Sequence, residues 1–297
     1  IRVKALVRDQ LKAEQVFGDP KSWPGLEFLL ADLTKPLEIE AEVDYLVHTA
    51  SPTSSSYFIS HPVETMRTIL EGTRQVLELA RRKTPKKTLL LSTMEVYGSL
   101  DLGEVRIKED DYGYLDPLNV RSSYSQGKRM AESLFAAYGH QYGLNLSIAR
   151  LAQTFGPGVG EGDQRVFLQF ARSLLRGEDI VLHTRGGSMG NYCDIRDCTV
   201  GLLTLLLKGE KNQAYNLVNE ASTMTIKEMA EMLVLSFGQD KTNLIFQLDK
   251  DGRRGYAPVT KIKLSSQKME ALGWQAEIGL EESYKRLLRS LEEITLV

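Results

Sequence analysis

Short β-rich runs alternate with helical segments through the first half of this 297-residue chain. Strand-like runs occupy residues 3–7, 26–30, 43–47, 88–92 and 144–150. Between the later runs, residues 62–82 and 122–142 carry apolar side chains close to helical spacing. Apolar strands separated by helices are typical of βαβ units, whose parallel strands are buried on both faces. The pattern therefore predicts an α/β fold with a doubly wound parallel sheet.

The pattern changes after Phe155, where residues 156–163 form a glycine-rich loop. Further on, Thr225 and Glu228 have the spacing of a capping box that opens a helix. We predict a larger doubly wound domain and a smaller mixed α/β lobe. The larger domain is expected at residues 1–155 plus about 186–217, and the smaller lobe at about 156–185 and 218–297.

Charge and composition exclude several kinds of partner. The 37 Lys+Arg and 39 Asp+Glu give a net charge of −2, so nucleic acid and anionic membranes are not generally attracted. No apolar run reaches the roughly 18–20 residues that span a bilayer. Cys193 and Cys198 are too few for a disulfide scaffold, and no metal-ligand spacing occurs. These features predict a cytoplasmic globular protein without nucleic-acid, membrane or metal partners.

Tyr124 and Lys128 stand four residues apart in a predicted helix. Residues i and i+4 share a helix face, so the hydroxyl and the ammonium can point into one cleft. The cation would lower the pKa of the phenol towards working pH, and the phenolate could then act as a general base. Taken alone, the same spacing also fits a surface tyrosine beside a surface lysine.

Ser92 and Thr93 supply hydroxyls at the carboxyl end of a buried strand. Open α/β sheets bind their ligands at this end. Thr93 can therefore bond the reacting oxygen of a substrate and share its proton with Tyr124. The alternative is a strand terminus whose hydroxyls bond their own backbone.

Residues 92–98, which read Ser-Thr-Met-Glu-Val-Tyr-Gly, precede the Tyr124-x-x-x-Lys128 pattern. Together they resemble the extended short-chain dehydrogenase/reductases of the NAD-dependent epimerase/dehydratase family, which modify nucleotide sugars. Residues 121–132 are similar to the catalytic helix of UDP-glucuronate decarboxylases, and residues 150–157 match a later landmark. The resemblance implies a Rossmann-like fold, with cofactor on the larger domain and nucleotide sugar on the smaller lobe. It also implies that Thr93, Tyr124 and Lys128 are catalytic.

The resemblance further implies a recycled NAD cofactor. Its contacts are expected at Arg8, Asp32, Leu33, His48, Ala50, Ser51, Ser92, Tyr124 and Lys128. Arg8 would accept the 2′-phosphate of NADP, although a solvated strand-end arginine fits equally. NAD is expected first because the recycling epimerases and dehydratases of the family mostly hold NAD. The family's glycine-rich phosphate loop does not occur in the sequence. By resemblance residues 3–7 are the family's second strand, so we expect the first strand and the loop to precede Ile1.

Met94 and Glu95 bear on the reaction. By resemblance to 4,6-dehydratases, Met94 stands where an acid protonates the leaving hydroxyl, and methionine cannot donate that proton. The decarboxylase pattern differs at the same position. Glu95 could act as a base or accept a sugar hydroxyl, and the alternative is a glutamate that bonds nearby backbone.

The predicted function is a nucleotide-sugar 4-epimerase that oxidises C4 transiently, with Tyr124 as base. Dehydration or decarboxylation using Glu95 is the alternative within the enzyme class, and a catalytically silent cofactor-binding sensor is the alternative outside it. Implied substrate contacts are Tyr57, Gln153, Arg253 and Arg254. The family pairs subunits through two helices, so residues 62–82 and 122–142 predict a homodimer.

Overall fold

The structure is a computed structural model that describes residues 1–100, 102–160, 162–248 and 259–295. The strands are β1 (Val3–Val7), β2 (Leu26–Leu30), β3 (Tyr45–His48), β4 (Lys87–Thr93), β5 (Leu146–Leu151), β6 (Gln153–Phe155), β7 (Ile180–Leu182), β8 (Met189–Asp194), β9 (Gln213–Leu217), β10 (Asn219–Thr225) and β11 (Leu244–Phe246). The helices are α1 (Gln10–Phe17), α2 (Ser55–Ser60), α3 (Pro62–Lys83), α4 (Ser122–Tyr142), α5 (Val166–Arg176), α6 (Ile195–Lys208), α7 (Ile226–Phe237), α8 (Gln267–Ala271) and α9 (Leu280–Thr295). The predicted alternation of strands and helices in the first half is confirmed.

A four-stranded parallel sheet in the order β3-β4-β5-β9 carries the centre of the fold. Leu90 and Ile148 pack with α3 and α4 on one face. Leu89 and Ala149 pack with Leu205 of α6 on the other face. Because both faces of β4 are buried, its sequence is nearly continuous in apolar residues instead of alternating. The predicted doubly wound α/β class is therefore confirmed.

The strands β1 and β2 form a separate two-stranded parallel sheet. Within the described residues β1 pairs only with β2, so the sheet is not one continuous ladder. Leu6 and Leu33 nevertheless share an apolar cluster with Leu46 of β3 and with Val76 and Leu79 of α3. This cluster fixes the small sheet beside the large one.

The second half contains its own apolar cluster around Phe155, Phe167 and Tyr284. The strand β8 pairs antiparallel with β10 and parallel with β6, so this small sheet joins segments assigned to both predicted units. The predicted domain boundaries stay a prediction. The capping box at Thr225 and Glu228 is confirmed, since each side chain bonds the other residue's backbone N–H.

A close approach between α3 and α4 determines how the second helix lies on the sheet. A Cβ at Gly127 would meet the Cδ1 of Ile69 at 3.0 Å, tighter than ordinary packing. The glycine before Lys128 therefore lets the two helices approach each other beneath the site. In the described part of the chain, no helix is long and apolar enough to cross a membrane.

Candidate active site

The centre of the site is the junction between the end of β4 and the first turns of α4. A short 3-10 turn, Met94–Tyr97, follows the strand, and the Thr93 hydroxyl accepts a hydrogen bond from the Glu95 N–H at 3.3 Å. The Thr93 side chain also lies close enough to Tyr124 to lower its pKa. The predicted contact between the strand end and the helical tyrosine is thus present in the structure.

Tyr124 is buried beneath an aromatic ring. The ring of Phe58 in α2 stacks on it, with centroids 4.2 Å apart and planes only 3° from parallel. Burial raises the pKa of Tyr124, and the charge of Glu95 raises that pKa further. The Thr93 side chain and the charge of Arg165 lower it. The effect of Lys128 on the pKa of Tyr124 stays a prediction.

Lys128 is buried on the same face of α4, with its Nζ 6.0 Å from the centre of the Tyr124 ring. Its ammonium donates a hydrogen bond to the Leu91 carbonyl at 2.9 Å. Burial lowers the pKa of Lys128 to about 8, and the charge of Glu132 opposes that shift. An ammonium has three donors, so one protein acceptor leaves capacity for a ligand.

Glu95 lies partly buried beside the pair. Its Oε2 accepts a hydrogen bond from the Ser125 hydroxyl of α4 at 3.1 Å. Burial raises the pKa of Glu95, while the charge of Arg121 and the bond from Ser125 lower it. The side chain thus bonds α4, in contrast to the alternative in which it bonds nearby backbone.

The predicted cofactor contacts at the ends of β1 and β2 are exposed or partly buried. Asp32 Oδ1 accepts bonds from the backbone N–H and the hydroxyl of Thr34, each at 2.9 Å. The charge of Arg8 contributes to lowering the pKa of Asp32, so the two strand ends act on each other. Leu33 packs in the apolar cluster with Leu6.

The remaining predicted cofactor contacts follow β3 and β4. His48 is buried, its Nε2 lies 3.1 Å from the Thr73 Oγ1, and burial lowers its pKa to about 3, so the ring is neutral. Ala50 and Ser51 are partly buried, and the Ser51 hydroxyl donates to the Pro52 carbonyl. Cofactor contact by these residues stays a prediction.

The predicted substrate contacts are described only in part. Tyr57 is exposed, and its ring stacks on His61 with centroids 4.6 Å apart. Gln153 is partly buried at the start of β6, opposite Tyr192 of β8. Arg253 and Arg254 lie outside the described residues. A role for any of them in binding substrate stays a prediction.

A buried polar network behind the site was not anticipated from the sequence. Glu132 of α4 accepts bonds from the Ser92 hydroxyl at 2.6 Å and from the Arg150 guanidinium at 2.7 and 3.1 Å. Ser92, a predicted cofactor contact, therefore has its hydroxyl bonded to Glu132. Arg150 also donates to the Tyr97 hydroxyl and to the Glu109 carbonyl.

The sequence indicates only some of these additional residues. Glu132 follows Lys128 by four residues, so helical periodicity could have put it on the same face. The stacking of Phe58 and the charge of Arg165 had no signal, since each lies more than 35 residues from Tyr124 in the sequence. Only the folded chain brings them together.

Comparison with known proteins supports a common origin. A sequence profile of the NAD dependent epimerase/dehydratase family matches residues 4–218. UDP-glucuronic acid decarboxylase 6 of Arabidopsis thaliana is 33% identical over 267 residues, covering 88% of this chain and 74% of that protein. UDP-glucuronic acid decarboxylase 1 of Xenopus tropicalis is 32% identical over 265 residues, covering 88% of this chain and 59% of that protein.

Solved structures share the fold. The UDP-glucose 4-epimerase of Thermotoga maritima has a TM-score of 0.81 at 21% identity, covering 99% of this chain and 92% of that one. A dTDP-glucose 4,6-dehydratase of Streptomyces venezuelae, solved with NAD bound, has a TM-score of 0.78 at 23% identity, covering 98% and 88%. At these identities the likeness establishes the Rossmann-like fold alone. Because the profile spans more than half of the chain, the chain belongs to the NAD-dependent epimerase/dehydratase family of nucleotide-sugar-modifying enzymes.

Proposed function

We propose that the chain oxidises a nucleotide sugar at C4 and then returns hydride to the opposite face of the ring, as a 4-epimerase. The observation that supports this is the position of Thr93 beside Tyr124, whose pKa it lowers, with Lys128 on the same helix face. A hydroxyl, a phenol and an ammonium at the carboxyl end of a parallel strand form a proton-handling set where such sheets bind ligands.

The donors and acceptors at the strand ends fit a nicotinamide dinucleotide. The Lys128 ammonium, with one protein acceptor at Leu91, would bind the two hydroxyls of the nicotinamide ribose. Asp32, bonded by Thr34 only through Oδ1, would contact the adenine end. NAD, bound in its oxidised form, would supply the hydride acceptor and a positive charge. Arg8 at the end of β1 keeps NADP as a possible cofactor.

Tyr124 would take the proton of the C4 hydroxyl while Thr93 holds that oxygen. Burial under Phe58 keeps water away from the phenol, and the same burial raises its pKa. Proton uptake at neutral pH therefore requires positive charge nearby, which Arg165 supplies in part and Lys128 would supplement. The same phenol returns the proton when the 4-keto sugar is reduced.

Epimerisation needs no acid beyond Thr93, Tyr124 and Lys128. We therefore prefer it to dehydration. Met94 occupies the position next to Thr93, and it packs against the apolar cluster that contains Val96 and Ile107. A thioether cannot protonate a leaving hydroxyl. The substrate itself would be bound by Tyr57, Gln153, Arg253 and Arg254, with Arg165 close to the reacting centre.

Decarboxylation of a nucleotide-linked uronate is the second candidate. Two observations favour it: the 33% identity to a UDP-glucuronic acid decarboxylase, and the position of Glu95 beside Tyr124. Burial raises the pKa of Glu95, which favours the neutral acid and reduces its repulsion of a substrate carboxylate. Oxidation at C4 would then make the uronate a β-keto acid, which loses carbon dioxide readily.

Mass spectrometry after incubation with NAD and a panel of UDP- and dTDP-linked hexoses and hexuronates tests the proposal. An unchanged product mass with altered chromatographic retention supports epimerisation, and loss of carbon dioxide identifies the second candidate. Loss of water would contradict the argument from Met94. Retained NAD binding without turnover of any sugar would favour a cofactor-binding sensor.

We also propose that the chain forms a homodimer through α3 and α4. Large apolar side chains are exposed on both helices, at Val63 (71%), Met66 (39%) and Met130 (52%). Burial of such side chains against a second copy would remove them from water. Light scattering at micromolar concentration should give the mass of a dimer, and a monomer mass would contradict the proposal.

A further inference from the structure

Three residues of α4, each four apart, meet the last three residues of β4. Tyr124 lies beside Thr93, the Lys128 ammonium donates to the Leu91 carbonyl, and Glu132 accepts a hydrogen bond from the Ser92 hydroxyl. The first two contacts belong to the proposed catalytic set. The third repeats the same spacing deeper in the fold, where no substrate atom is expected.

Both oxygens of Glu132 are engaged. Its Oε1 accepts from the Ser92 hydroxyl at 2.6 Å and from the Arg150 Nε at 3.1 Å, and its Oε2 accepts from the Arg150 Nη2 at 2.7 Å. The Arg150 side chain is only 1% exposed. A carboxylate that is buried with two-point binding to a guanidinium has one fixed orientation.

Arg150 is itself held from the far side. Its guanidinium donates to the Glu109 carbonyl at 2.7 Å and to the hydroxyls of Tyr97 and Tyr112 at 3.1 and 3.0 Å. These contacts tie β5 to the segment around residue 110. Glu132 is therefore bound to a partner that is held on several sides. These bonds resist any shift of α4 along β4.

Few charged groups act on Lys128. On α4 the titratable neighbours are Tyr124, Arg129 and Glu132. Arg150 of β5 is bound to Glu132, and His48 of β3 has a neutral ring. The strand β4 presents only the Leu91 carbonyl to the ammonium. Among the described residues Glu132 is the one anion whose charge acts on Lys128.

We propose that Glu132 is a positioning residue for the catalytic pair, because its carboxylate locks α4 against the end of β4 and supplies the negative charge beside the Lys128 ammonium. This inference rests on the proposed function only in taking Lys128 as the group that binds the cofactor ribose. It adds a residue that touches neither substrate nor cofactor to the set on which the chemistry depends.

The variant Glu132→Gln tests the proposal, since it keeps the shape and removes the charge. Without Glu132 the pKa of Lys128 falls below about 8, because burial is no longer opposed. The ammonium then loses its proton at lower pH, so the alkaline decline of kcat begins earlier. Above the pKa, each unit of downward shift reduces the protonated fraction on the order of tenfold. KM for the nucleotide sugar should change little.

Cofactor binding gives a readout that does not need turnover. NAD affinity, titrated by protein fluorescence from about pH 6 to about pH 10, should weaken at lower pH in the variant than in the unchanged chain. If the proposed reaction is wrong, this titration still reports on Lys128. If no cofactor binds the unchanged chain, the proposed function fails first.

The matched control is Glu78→Gln. Glu78 lies on α3 and accepts a bond from the Tyr138 hydroxyl of α4 at 2.7 Å, so it is also a carboxylate that bonds this helix. Its removal should leave the pH dependence of kcat and of NAD affinity unchanged. A shift equal to that of Glu132→Gln would mean that any loosening of α4 has the same effect, and would overturn the proposal.

A second variant keeps the proposal testable if Glu132→Gln folds poorly. The double variant Glu132→Gln/Arg150→Gln removes both charges of the buried pair, which proteins tolerate better than removal of one. Because the Arg150 guanidinium is bound to the Glu132 carboxylate, its loss offsets part of the charge change, so the alkaline shift should be smaller than in Glu132→Gln but still present. A folded variant of either kind with the pH dependence and NAD affinity of the unchanged chain would overturn the proposal.

Discussion

Two carboxylates flank the Tyr124–Lys128 pair, and their surroundings differ sharply. Glu95 accepts one bond from Ser125, and burial raises its pKa. Glu132 is bound by Arg150 through both oxygens and by Ser92. Burial favours the protonated form of Glu95, whereas both oxygens of Glu132 are held by an ion pair and hydrogen bonds. The same residue type thus supports two roles, and the environment decides which one applies.

The two carboxylates matter for catalysis only if Tyr124, the phenol between them, performs the chemistry. Tyr124→Phe tests this role and should have the largest effect. Removal of a positioned acid–base group costs about 10²–10⁴ in rate, so kcat should fall by that factor. Formation of product from the active nucleotide sugar, measured by chromatography, gives the rate. Tyr138→Phe, which removes a phenol elsewhere on α4, should retain activity.

The two carboxylates should also differ in how much their removal changes the free energy of unfolding. Glu132→Gln leaves Arg150 buried without its anion, and such a change costs about 3–5 kcal/mol in the free energy of unfolding. Glu95→Gln removes a carboxylate that burial disfavours, so it should cost far less or stabilise the fold. Urea unfolding of both variants measures the difference. Equal losses would show that the two environments do not differ as described.

The pH dependence of the free energy of unfolding should also distinguish Glu95 from Glu132. Its pKa is raised in the folded chain, so the native state holds the proton more tightly than the unfolded state. The unchanged chain should therefore lose stability relative to Glu95→Gln as the pH rises from the ordinary glutamate pKa through the raised one. Below that window the two should be equally stable. Thermal unfolding across the range provides the comparison, and a difference that grows on acidification would contradict it.

The smallest expected effect concerns the ring above Tyr124. Phe58→Leu keeps an apolar side chain but removes the stacked pair, which contributes about 0.5–1.5 kcal/mol beyond burial. We expect a small loss of stability and a decrease in kcat as water reaches the phenol. Phe237→Leu, remote from the site on α7, should leave kcat unchanged.

Local sequence signals predicted much of the fold. The bounds of α4, the burial of β4 and the capping box of α7 follow from periodicity and from the spacing of Thr225 and Glu228, which act within a few residues. The separation of β1 and β2 from the large sheet was not predicted. Strand pairing depends on contacts between distant segments, which periodicity does not encode.

The residues of the site also divide into those that local sequence patterns predict and those that they do not. Thr93, Tyr124 and Lys128 were predicted because strand end and helix face are local patterns that a family motif reinforces. Phe58 and Arg150 were not predicted as parts of the site, since only tertiary packing brings them to α4. Motif reading therefore found the groups that we propose to handle protons and missed the side chains packed around them.

The proposed reaction requires that C4 of the sugar loses and regains hydride beside Tyr124. A nucleotide sugar deuterated at C4 tests it directly in the unchanged chain with NAD. We expect that the product keeps deuterium at C4, without exchange with water, and that conversion is slower than with the protiated sugar. Loss of the deuterium to solvent, or conversion at the same rate with no transient reduced cofactor, would contradict it.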